Sequence, residues 1–562
     1  MTINLIIFTL ICVIPAVVVI FFEKIMLKLT RLFSYLLIAV QALLFMTLLL
    51  TPMPEMKPAL SDKNLFTLSK NNNIIVFTID MLDITYVDRA LNEDKALTED
   101  LDGFTYYSNS SGKFSSTYYS FPVILNGNVN LNSGNTYENE NSKQYFKILK
   151  DNGYSIEAYG LTSLMSDDYI QTLDNNVEYP RLAINDIPRF TEYLYRLSWF
   201  RFLPDITKPV FWFYPGLEFN LLIKTDGEVN PYLASNYRFY DKLVNDKITL
   251  KEDGNSFKSY YVFGNHFPYN TDAQCRFVRQ EVPHYETTKG MTHLISELLT
   301  QLKSAGIYDN TTIVIVGDHG WIGANSITAP ALLIKPKGST GDLVVSDVPV
   351  DHTVIVPTVL ESMGIDGSKF GNSASKGLTG RLFYKSGLKI DEGDVGTLIE
   401  YSVPDTSNDQ KLYEPTGYKY DTEGNYISIY SYNDYKLGQR LDLSGNSCKY
   451  FDLGFANSQA HGAQSQLTMK ITEQRSVDVT MKLSSHYGDA QRLIAQCNGQ
   501  VLFDDVIKDV ATIKFSIPAK CIKDGKLLLK LRYPDAVSRR EMDKESDDAT
   551  LRSFDFYELI IS

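Results

Sequence analysis

The chain has 562 residues, which is more than a single hydrophobic core usually organises, so two or three folded units are expected. Its formal net charge of −13 and isoelectric point near 5.2 argue against a nucleic-acid-binding protein, because such a surface repels phosphates. The five cysteines show no Cys-x-x-Cys spacing, so neither a zinc ribbon nor a disulfide framework is predicted, and a single Cys497–Cys521 bridge stays open.

Two apolar stretches, 3–22 and 32–50, open the chain, and each has about the length of a helix that crosses a bilayer. Lys24, Lys28 and Arg31 lie between them, and basic residues favour the cytoplasmic side. The alternative is a cleaved signal peptide, but no basic segment precedes the first stretch. The sequence therefore predicts two transmembrane helices within residues 1–55, with the rest of the chain outside the cytoplasm.

A predicted linker over residues 56–70 leads into a segment in which strands alternate with helices. The β-branched runs "IIVFTI" (74–79) and "TIVIV" (312–316) predict strands, and apolar residues recur at helical spacing over 291–302. Such alternation is typical of an α/β fold. We expect an α/β domain over 71–385, with a mainly parallel sheet and helices on both faces.

The helical periodicity disappears from residue 386 onward. A hairpin pattern around Glu423-Gly424 predicts a connecting β region over 386–436. Short alternating strands follow, and one pair of them is joined by an Asn498-Gly499 turn. The last segment, 437–562, is therefore predicted to be a C-terminal β-sandwich.

Three predicted strands end in residues that are unusual for turns. The first is followed by Asp80, another by His266, and a third by the pair Asp318 and His319. In an open parallel sheet, ligand sites form outside the carboxyl ends of the strands, so these side chains are expected to share one crevice. Each alone is common as a turn or capping residue, but two carboxylates with an imidazole suit one divalent ion, Zn²⁺, Mn²⁺ or Mg²⁺.

A hydroxyl-rich loop, "KFSSTYYSFPVILNG" (113–127), leads into a predicted helix beside the same crevice. Thr117 or Ser120 could bind the metal ion as an alkoxide, because a cation lowers the hydroxyl pKa and a helix N-terminus favours phosphate. The alternative is that these hydroxyl groups only cap the helix.

Three motifs, "TYYSFP", "FTID" and "GDHG", together resemble the alkaline phosphatase superfamily, in particular its membrane-anchored, sulfatase-like branch. That branch includes lipoteichoic acid synthases, phosphoglycerol transferases and phosphoethanolamine transferases. The resemblance implies one divalent metal ion held by Asp80, Thr117, Asp318 and His319, with Thr117 as the nucleophile. It also implies that His266 contacts the substrate phosphate.

The sequence departs from parts of that superfamily. "SFPVI" has neither the cysteine nor the arginine of the sulfatase motif Cys/Ser-x-Pro-x-Arg, which disfavours sulfate-ester hydrolysis. No cysteines flank the nucleophile, unlike in lipid A phosphoethanolamine transferases. Most relatives place another histidine soon after the Asp-His pair, but none lies between His319 and His352. His352 itself is expected at the start of a helix.

The resemblance implies an enzyme of the bacterial cell envelope, integral to the plasma membrane, with its catalytic domain outside the cytoplasm. Such an enzyme would move a phosphoglycerol or phosphoethanolamine headgroup from a membrane phospholipid to a surface glycan through a phosphothreonine intermediate. Two alternatives stay open: a phosphoric or sulfuric ester hydrolase that uses the same site, and a catalytically degenerate protein that binds glycans or partner proteins. The strand-rich tail resembles modules on bacterial surface-glycan enzymes, which implies context more than activity.

Overall fold

A computed structural model describes most of the chain, namely residues 2–50, 58–132, 140–160, 165–178, 182–184, 187–212, 223–225, 235–321, 328–386, 397–444, 449–487 and 490–562. The chain forms two compact units. The first comprises Met1–Lys63 and Asn176–Tyr232, and the second comprises Asn64–Asn175 and Leu233–Ser562. Residues 176–232, which the sequence pattern assigns to the α/β segment, thus cluster with the N-terminal unit.

The N-terminal unit begins with the helix Thr2–Leu50, which is interrupted at Phe22, where φ is −139° and ψ is 43°. Within the described residues, one stretch, Leu27–Thr47, is long and apolar enough to cross a membrane. The second predicted membrane helix, 3–22, is not confirmed and stays a prediction. The unit's other elements are the strand pairs Pro58–Leu60 with Asn176–Glu178 and Leu182–Ile184 with Ile223–Thr225, the helix Ile187–Phe202 and the 3₁₀ turn Lys208–Phe211.

A seven-stranded mixed sheet organises the second unit. Its strands lie in the order Val344–Ser346, Thr105–Tyr107, Leu332–Lys335, Thr311–Gly317, Asn73–Ile79, Asn255–Val262 and Tyr154–Tyr159. The last four are mutually parallel, and the strand Leu332–Lys335 is antiparallel to both of its neighbours. The central strands are buried along their whole length, as expected for a parallel sheet covered on both faces. The predicted α/β fold is confirmed.

Helices cover both faces of this sheet. Ile75, Phe77 and Tyr260 pack on one face in a core that also contains residues of the helices Ile84–Glu93 and His284–Ser304. Side chains alternate between faces along a strand, so Tyr261 lies on the opposite face, against the helix Thr117–Asn126. Further helices are Lys95–Asp100, Glu140–Asp151, Asp167–Gln171, Asn236–Asp246 and Ile355–Ser362, and a two-stranded pair joins Thr67–Ser69 to Thr249–Lys251.

Antiparallel strands follow the α/β part. The strands Leu382–Ser386, Leu398–Ser402, Glu414–Tyr420 and Tyr426–Ser428 form one sheet, here called the connecting sheet. Its last two strands form the hairpin predicted around Gly424, whose φ of +82° suits glycine.

The C-terminal strands build two sheets around one shared core, here called the C-terminal sandwich. One sheet contains Asn433–Asp434, Phe451–Leu453, Gln464–Lys470, Gln491–Cys497, Gln500–Ile507, Ile522–Lys523 and Lys526–Arg532. The other contains Arg440–Asp442, Phe455–Ala456, Gln459–His461, Val477–Ser485, Ala511–Ile517 and Arg552–Ile561. The Cys497–Cys521 bridge is not formed: both are free, buried thiols, and Cys497 Sγ donates to the Cys521 carbonyl oxygen at 3.6 Å.

Candidate active site

The candidate active site lies where three parallel strands end side by side. Ile79 pairs with Gly317 on one neighbouring strand and with Val262 on the other. The residues that follow these positions therefore emerge at the same edge of the sheet, which is where open α/β sheets bind ligands. This register brings Asp80 next to Asp318.

Asp80, Asp318 and His319 form a buried cluster whose potential ligand atoms all lie within 4.8 Å of one another. His319 Nε2 lies 3.5 Å from Asp80 Oδ1 and 3.7 Å from Asp318 Oδ2. Thr117 Oγ1 lies 3.3 Å from the same nitrogen atom. The four side chains predicted as metal ligands are thus brought together.

Each carboxylate uses one oxygen in a hydrogen bond and leaves the other without a partner. The Tyr261 hydroxyl donates to Asp80 Oδ2 at 2.6 Å, and the Met81 backbone N–H donates to Asp318 Oδ1 at 3.0 Å. Asp80 Oδ1 and Asp318 Oδ2 are buried and have no hydrogen-bond partner in the described part of the chain. Buried polar atoms without partners are costly, and these two flank one histidine nitrogen. The arrangement fits a divalent cation.

The protonation of the cluster agrees with this fit. His319 Nδ1 donates to the Gly320 carbonyl oxygen at 2.8 Å, so the Nε2 lone pair is available as a metal ligand. Burial, followed by the charge of Asp318, raises the pKa of Asp80 well above its ordinary value. A bound cation would lower that pKa again, because it favours the charged carboxylate. Carboxylate, imidazole and hydroxyl ligands suit Zn²⁺, Mn²⁺ or Mg²⁺.

The glycines of the Gly-Asp-His-Gly motif allow the backbone to approach its neighbours closely. A Cβ atom on Gly317 would lie 2.7 Å from the Leu82 carbonyl oxygen, and one on Gly320 would lie 2.1 Å from the Thr328 carbonyl oxygen. Neither position has room for a side chain, because the atoms in the way are backbone atoms. The absence of a side chain at both glycines therefore lets the segment with the Asp-His pair lie directly against these neighbouring backbones.

Thr117 is the first residue of the helix Thr117–Asn126 and is half-buried. The side chain of Ser116, at the N-cap position, makes no capping hydrogen bond, which leaves the N–H groups of the first turn without that partner. Ser120, the alternative nucleophile, is fully buried and donates to the Phe114 carbonyl oxygen at 3.1 Å. The geometry therefore favours Thr117 over Ser120.

His266 lies just beyond the strand Asn255–Val262 and is half-buried. Its Nδ1 donates to the Phe267 carbonyl oxygen at 2.7 Å, and its ring stacks on Phe267 with centroids 4.4 Å apart. Burial is the main cause that lowers the pKa of His266. Its contact with a substrate phosphate stays a prediction.

His352 starts the 3₁₀ turn His352–Val354, as predicted, and is fully buried. Its Nε2 donates to the Gly317 carbonyl oxygen at 2.9 Å, and its Nδ1 accepts from the Lys113 backbone N–H at 3.4 Å. The imidazole thus joins the strand end before Asp318 to the loop that precedes Thr117. It supports the site and takes no part in the ligand cluster.

Tyr261 is a site residue that the sequence motifs do not reveal. Its hydroxyl donates to Asp80 Oδ2 at 2.6 Å. Burial raises the pKa of Tyr261 well above its ordinary value, so the phenol keeps its proton and remains a donor. The only indication in the sequence is an aromatic residue with a polar tip near the end of a fully buried strand.

A buried ion pair between the α/β part and the C-terminal sandwich is connected to the segment that contains His319. Arg540 Nη1 contacts Asp83 Oδ2 at 2.7 Å, and the exposed fractions of the two side chains are 9% and 0%. Thr328 Oγ1 donates to the same Asp83 oxygen at 2.5 Å and accepts from the Trp321 backbone N–H at 2.7 Å. Trp321 lies two residues after His319. Asp83 and Thr328 therefore link Arg540 to the segment that carries His319.

Of three comparisons with known proteins, one finds no match and two find similar proteins. No family model matches the chain. Over 139 residues the chain is 26% identical to lipoteichoic acid synthase 1 of Bacillus subtilis, a match that covers 19% of this chain and 21% of that protein. The chain thus matches about a fifth of the length of this relative. The match confirms the resemblance carried by the three motifs.

Two solved structures are similar at low identity. One is a protein of the alkaline phosphatase superfamily from Vibrio parahaemolyticus, with 13% identity, a TM-score of 0.37 and coverage of 68% of this chain and 87% of that chain. The other is the lipoteichoic acid synthase LtaP from Listeria monocytogenes, with 14% identity, a TM-score of 0.34 and coverage of 66% and 90%. The chemistry of the site is therefore inferred from its own side chains.

Proposed function

We propose that this protein is a membrane-anchored, metal-dependent phosphotransferase that moves a phosphoglycerol or phosphoethanolamine headgroup from a phospholipid to a surface glycan. One observation carries the proposal: Thr117 Oγ1 lies 3.3 Å from His319 Nε2, beside two buried carboxylate oxygens that lack partners in the described structure. A hydroxyl group held beside a cation site is the arrangement that nucleophilic attack on phosphorus requires.

Thr117 is the nucleophile of the proposed reaction. Its oxygen attacks the phosphorus of the donor headgroup, a bond from Thr117 to phosphorus forms, and the bond from phosphorus to the diacylglycerol oxygen breaks. Diacylglycerol leaves with the proton that the threonine loses. A glycan hydroxyl then attacks the phosphothreonine, and Thr117 regains a proton as the glycan phosphodiester forms.

The surrounding residues orient this chemistry. Asp80, Asp318 and His319, together with Thr117, would hold the metal ion, which when bound lowers the pKa of the hydroxyl group and offsets phosphoryl charge. Tyr261 holds Asp80 in place through its hydroxyl group. His266 is proposed to contact a phosphoryl oxygen and to stabilise the charge that develops there.

Two observations support a lipid donor. The apolar stretch Leu27–Thr47 is long enough to anchor the chain in a bilayer, which would keep the enzyme at the membrane that contains its donor. The similarity to lipoteichoic acid synthase 1 supports a reaction related to the one that this relative's name describes.

Intact-mass analysis tests the covalent step. The full chain is incubated in vesicles of phosphatidylglycerol or phosphatidylethanolamine with Mn²⁺, Zn²⁺ or Mg²⁺ and then quenched in acid. The wild type is expected to gain the mass of one headgroup phosphate ester, and Thr117→Ala is expected to gain none. Ser120→Ala should retain the adduct, whereas loss of the adduct in Ser120→Ala alone would assign the alternative nucleophile.

The same assay separates the alternatives. Absence of both an adduct and headgroup release with every metal would contradict phosphotransfer and favour a binding-only protein. Release of the headgroup to water, with no transfer to any glycan hydroxyl supplied, would favour an ester hydrolase.

A further inference from the structure

A second group of polar side chains lines a cavity of about 60 Å³ between the connecting sheet and the C-terminal sandwich. The strands Leu382–Ser386 and Glu414–Tyr420 contribute one part of its wall. Gln459–His461 and the start of Gln464–Lys470 contribute another part. No residue of the candidate active site lines this cavity, so its chemistry is separate.

Lys385 is a cation in this cavity without a counterion. It is only 9% exposed, and no acceptor contacts its ammonium group within the described residues. Burial alone lowers the pKa of Lys385, to about 8. The chain pairs its other deeply buried lysines: Lys258 contacts Glu157, and Lys335 donates to the Tyr308 carbonyl oxygen. A buried charge without a partner is costly, and an anionic ligand in this cavity would remove that cost.

Two further polar groups in the cavity wall lack partners. His461 is 5% exposed, and neither of its ring nitrogens has a hydrogen-bond partner within the described chain. Burial, and then the charge of Arg552, lower the pKa of His461 to about 4, so the imidazole is neutral near pH 7. Gln464 Nε2 donates to the Tyr413 carbonyl oxygen at 2.9 Å, which fixes the amide and leaves Oε1 buried and unpaired.

Aromatic rings complete the wall. Phe383 lies on the same face of its strand as Lys385, because the two are separated by one residue. Its ring centroid lies 5.7 Å from that of Tyr413 and 6.4 Å from that of Tyr401. Apolar walls with a few convergent polar groups are the usual composition of small-molecule sites.

We propose that this cavity binds a hydroxylated carboxylate, the chemical class of the uronic acid residues of acidic glycans. The carboxylate pairs with the Lys385 ammonium group and accepts a hydrogen bond from His461. A neighbouring hydroxyl group of the ligand donates to Gln464 Oε1. A neutral sugar would leave Lys385 without a counterion, and a simple carboxylate would leave the glutamine oxygen without a donor.

The size of the cavity sets how much of the ligand enters. A cavity needs about 10–15 Å³ to hold one water molecule. At about 60 Å³, this cavity holds a carboxylate and the adjacent hydroxyl group and does not hold a whole sugar ring. The half-buried Gln410 and Tyr401 mark the side on which the remainder of the ligand extends. This proposal stands independently of the reaction proposed for Thr117.

Isothermal titration calorimetry on the full chain in detergent tests the site, with sodium glucuronate, glucose and sodium acetate as probes. Glucuronate is expected to bind the wild type, and glucose is not. Lys385→Met should weaken glucuronate binding by at least about tenfold, because it removes the cation that pairs with the carboxylate. Lys482→Met, on an exposed position of the sandwich strand Val477–Ser485, removes the same charge and should leave binding unchanged.

Failure of glucuronate to bind the wild type, or equal binding to Lys385→Met, would overturn the proposal. Acetate binding as tightly as glucuronate would overturn the role given to Gln464. Thermal unfolding checks the fold, and Lys385→Met is expected to unfold at or above the wild-type temperature because it removes an unpaired buried charge. If Lys385→Met fails to fold, glucuronate binding is measured on Gln464→Leu instead. Unchanged glucuronate affinity in Gln464→Leu would also overturn the proposal.

Discussion

At the scale of single residues, Tyr261 orients one carboxylate of the candidate metal site. Its hydroxyl donates to Asp80 Oδ2 at 2.6 Å. This bond leaves Asp80 Oδ1 free to face His319 Nε2. Removing a group that orients a metal ligand in this way typically lowers metal affinity or activity by about 10- to 100-fold.

We expect Tyr261→Phe to lower metal affinity or headgroup-transfer activity by about 10- to 100-fold without unfolding the protein. The benzyl ring still fills the space against Phe121, and only the hydroxyl group is lost. Calorimetric titration with the metal ion measures metal affinity, and an assay of headgroup release measures activity. A loss of thermal stability with unchanged metal affinity would contradict this positioning role.

Tyr260→Phe is the matched control. Tyr260 is the adjacent residue on the same strand, it lies on the opposite face of the sheet, and its hydroxyl donates to the Leu65 carbonyl oxygen at 2.7 Å. Its removal should cost about 1 kcal/mol of unfolding free energy and leave metal affinity unchanged.

At the scale of elements, apolar runs predict the central strands because a parallel sheet buries both of its faces. The sequence also predicts which side chains follow those strands, and the register of Ile79 with Gly317 and Val262 brings the carboxylates together. The contacts of Tyr261 and Arg540 are not predictable in this way. They join residues far apart in the sequence, and no local pattern encodes a partner at such separation.

The ion pair of Arg540 with Asp83 gives an element-scale prediction. Burial raises the pKa of Asp83, but Arg540 and Thr328 outweigh burial and hold that pKa below its ordinary value, so Asp83 is charged. Arg540→Met leaves this charge buried without its cation, which should cost about 3–5 kcal/mol of unfolding free energy. Metal affinity should also fall, because Thr328 and Trp321 link Asp83 to the loop that carries His319.

Urea denaturation and metal titration of the same samples measure these two effects. Arg492→Met is the control, because Arg492 pairs with Asp504 at 2.7 Å on the surface of the sandwich, where solvent screening leaves such a pair little effect on stability. If Arg540→Met lost stability but kept wild-type metal affinity, the ion pair would be only a contact between the α/β part and the sandwich.

At the scale of the whole molecule, buried histidines tie stability to pH in both parts of the second unit. His284 lies in the α/β part, where its ring stacks on Tyr269 with centroids 4.6 Å apart. His461 lies in the C-terminal sandwich. Neither imidazole has a hydrogen-bond partner in the described structure, and burial is the main cause that lowers the pKa of each.

Acidification should therefore destabilise the fold at pH values where most carboxylates are still charged. The pKa of His284 is lowered from 6.5 to about 3 and that of His461 to about 4, so the unfolded chain binds more protons below pH 6.5. The free energy of unfolding is not reduced by these histidines above pH 6.5, where both states hold them neutral. Below pH 6.5 it declines as the pH falls, by about 1.4 kcal/mol per pH unit for each histidine. Urea denaturation from about pH 7 to about pH 5 measures this slope. His284→Phe keeps the stacked ring without a titrating group and should lower the slope by about 1.4 kcal/mol per pH unit. His293→Phe, at an exposed position of the same helix, should leave the slope unchanged. Equal slopes in all three proteins would show that the pKa of His284 is not lowered in the folded chain.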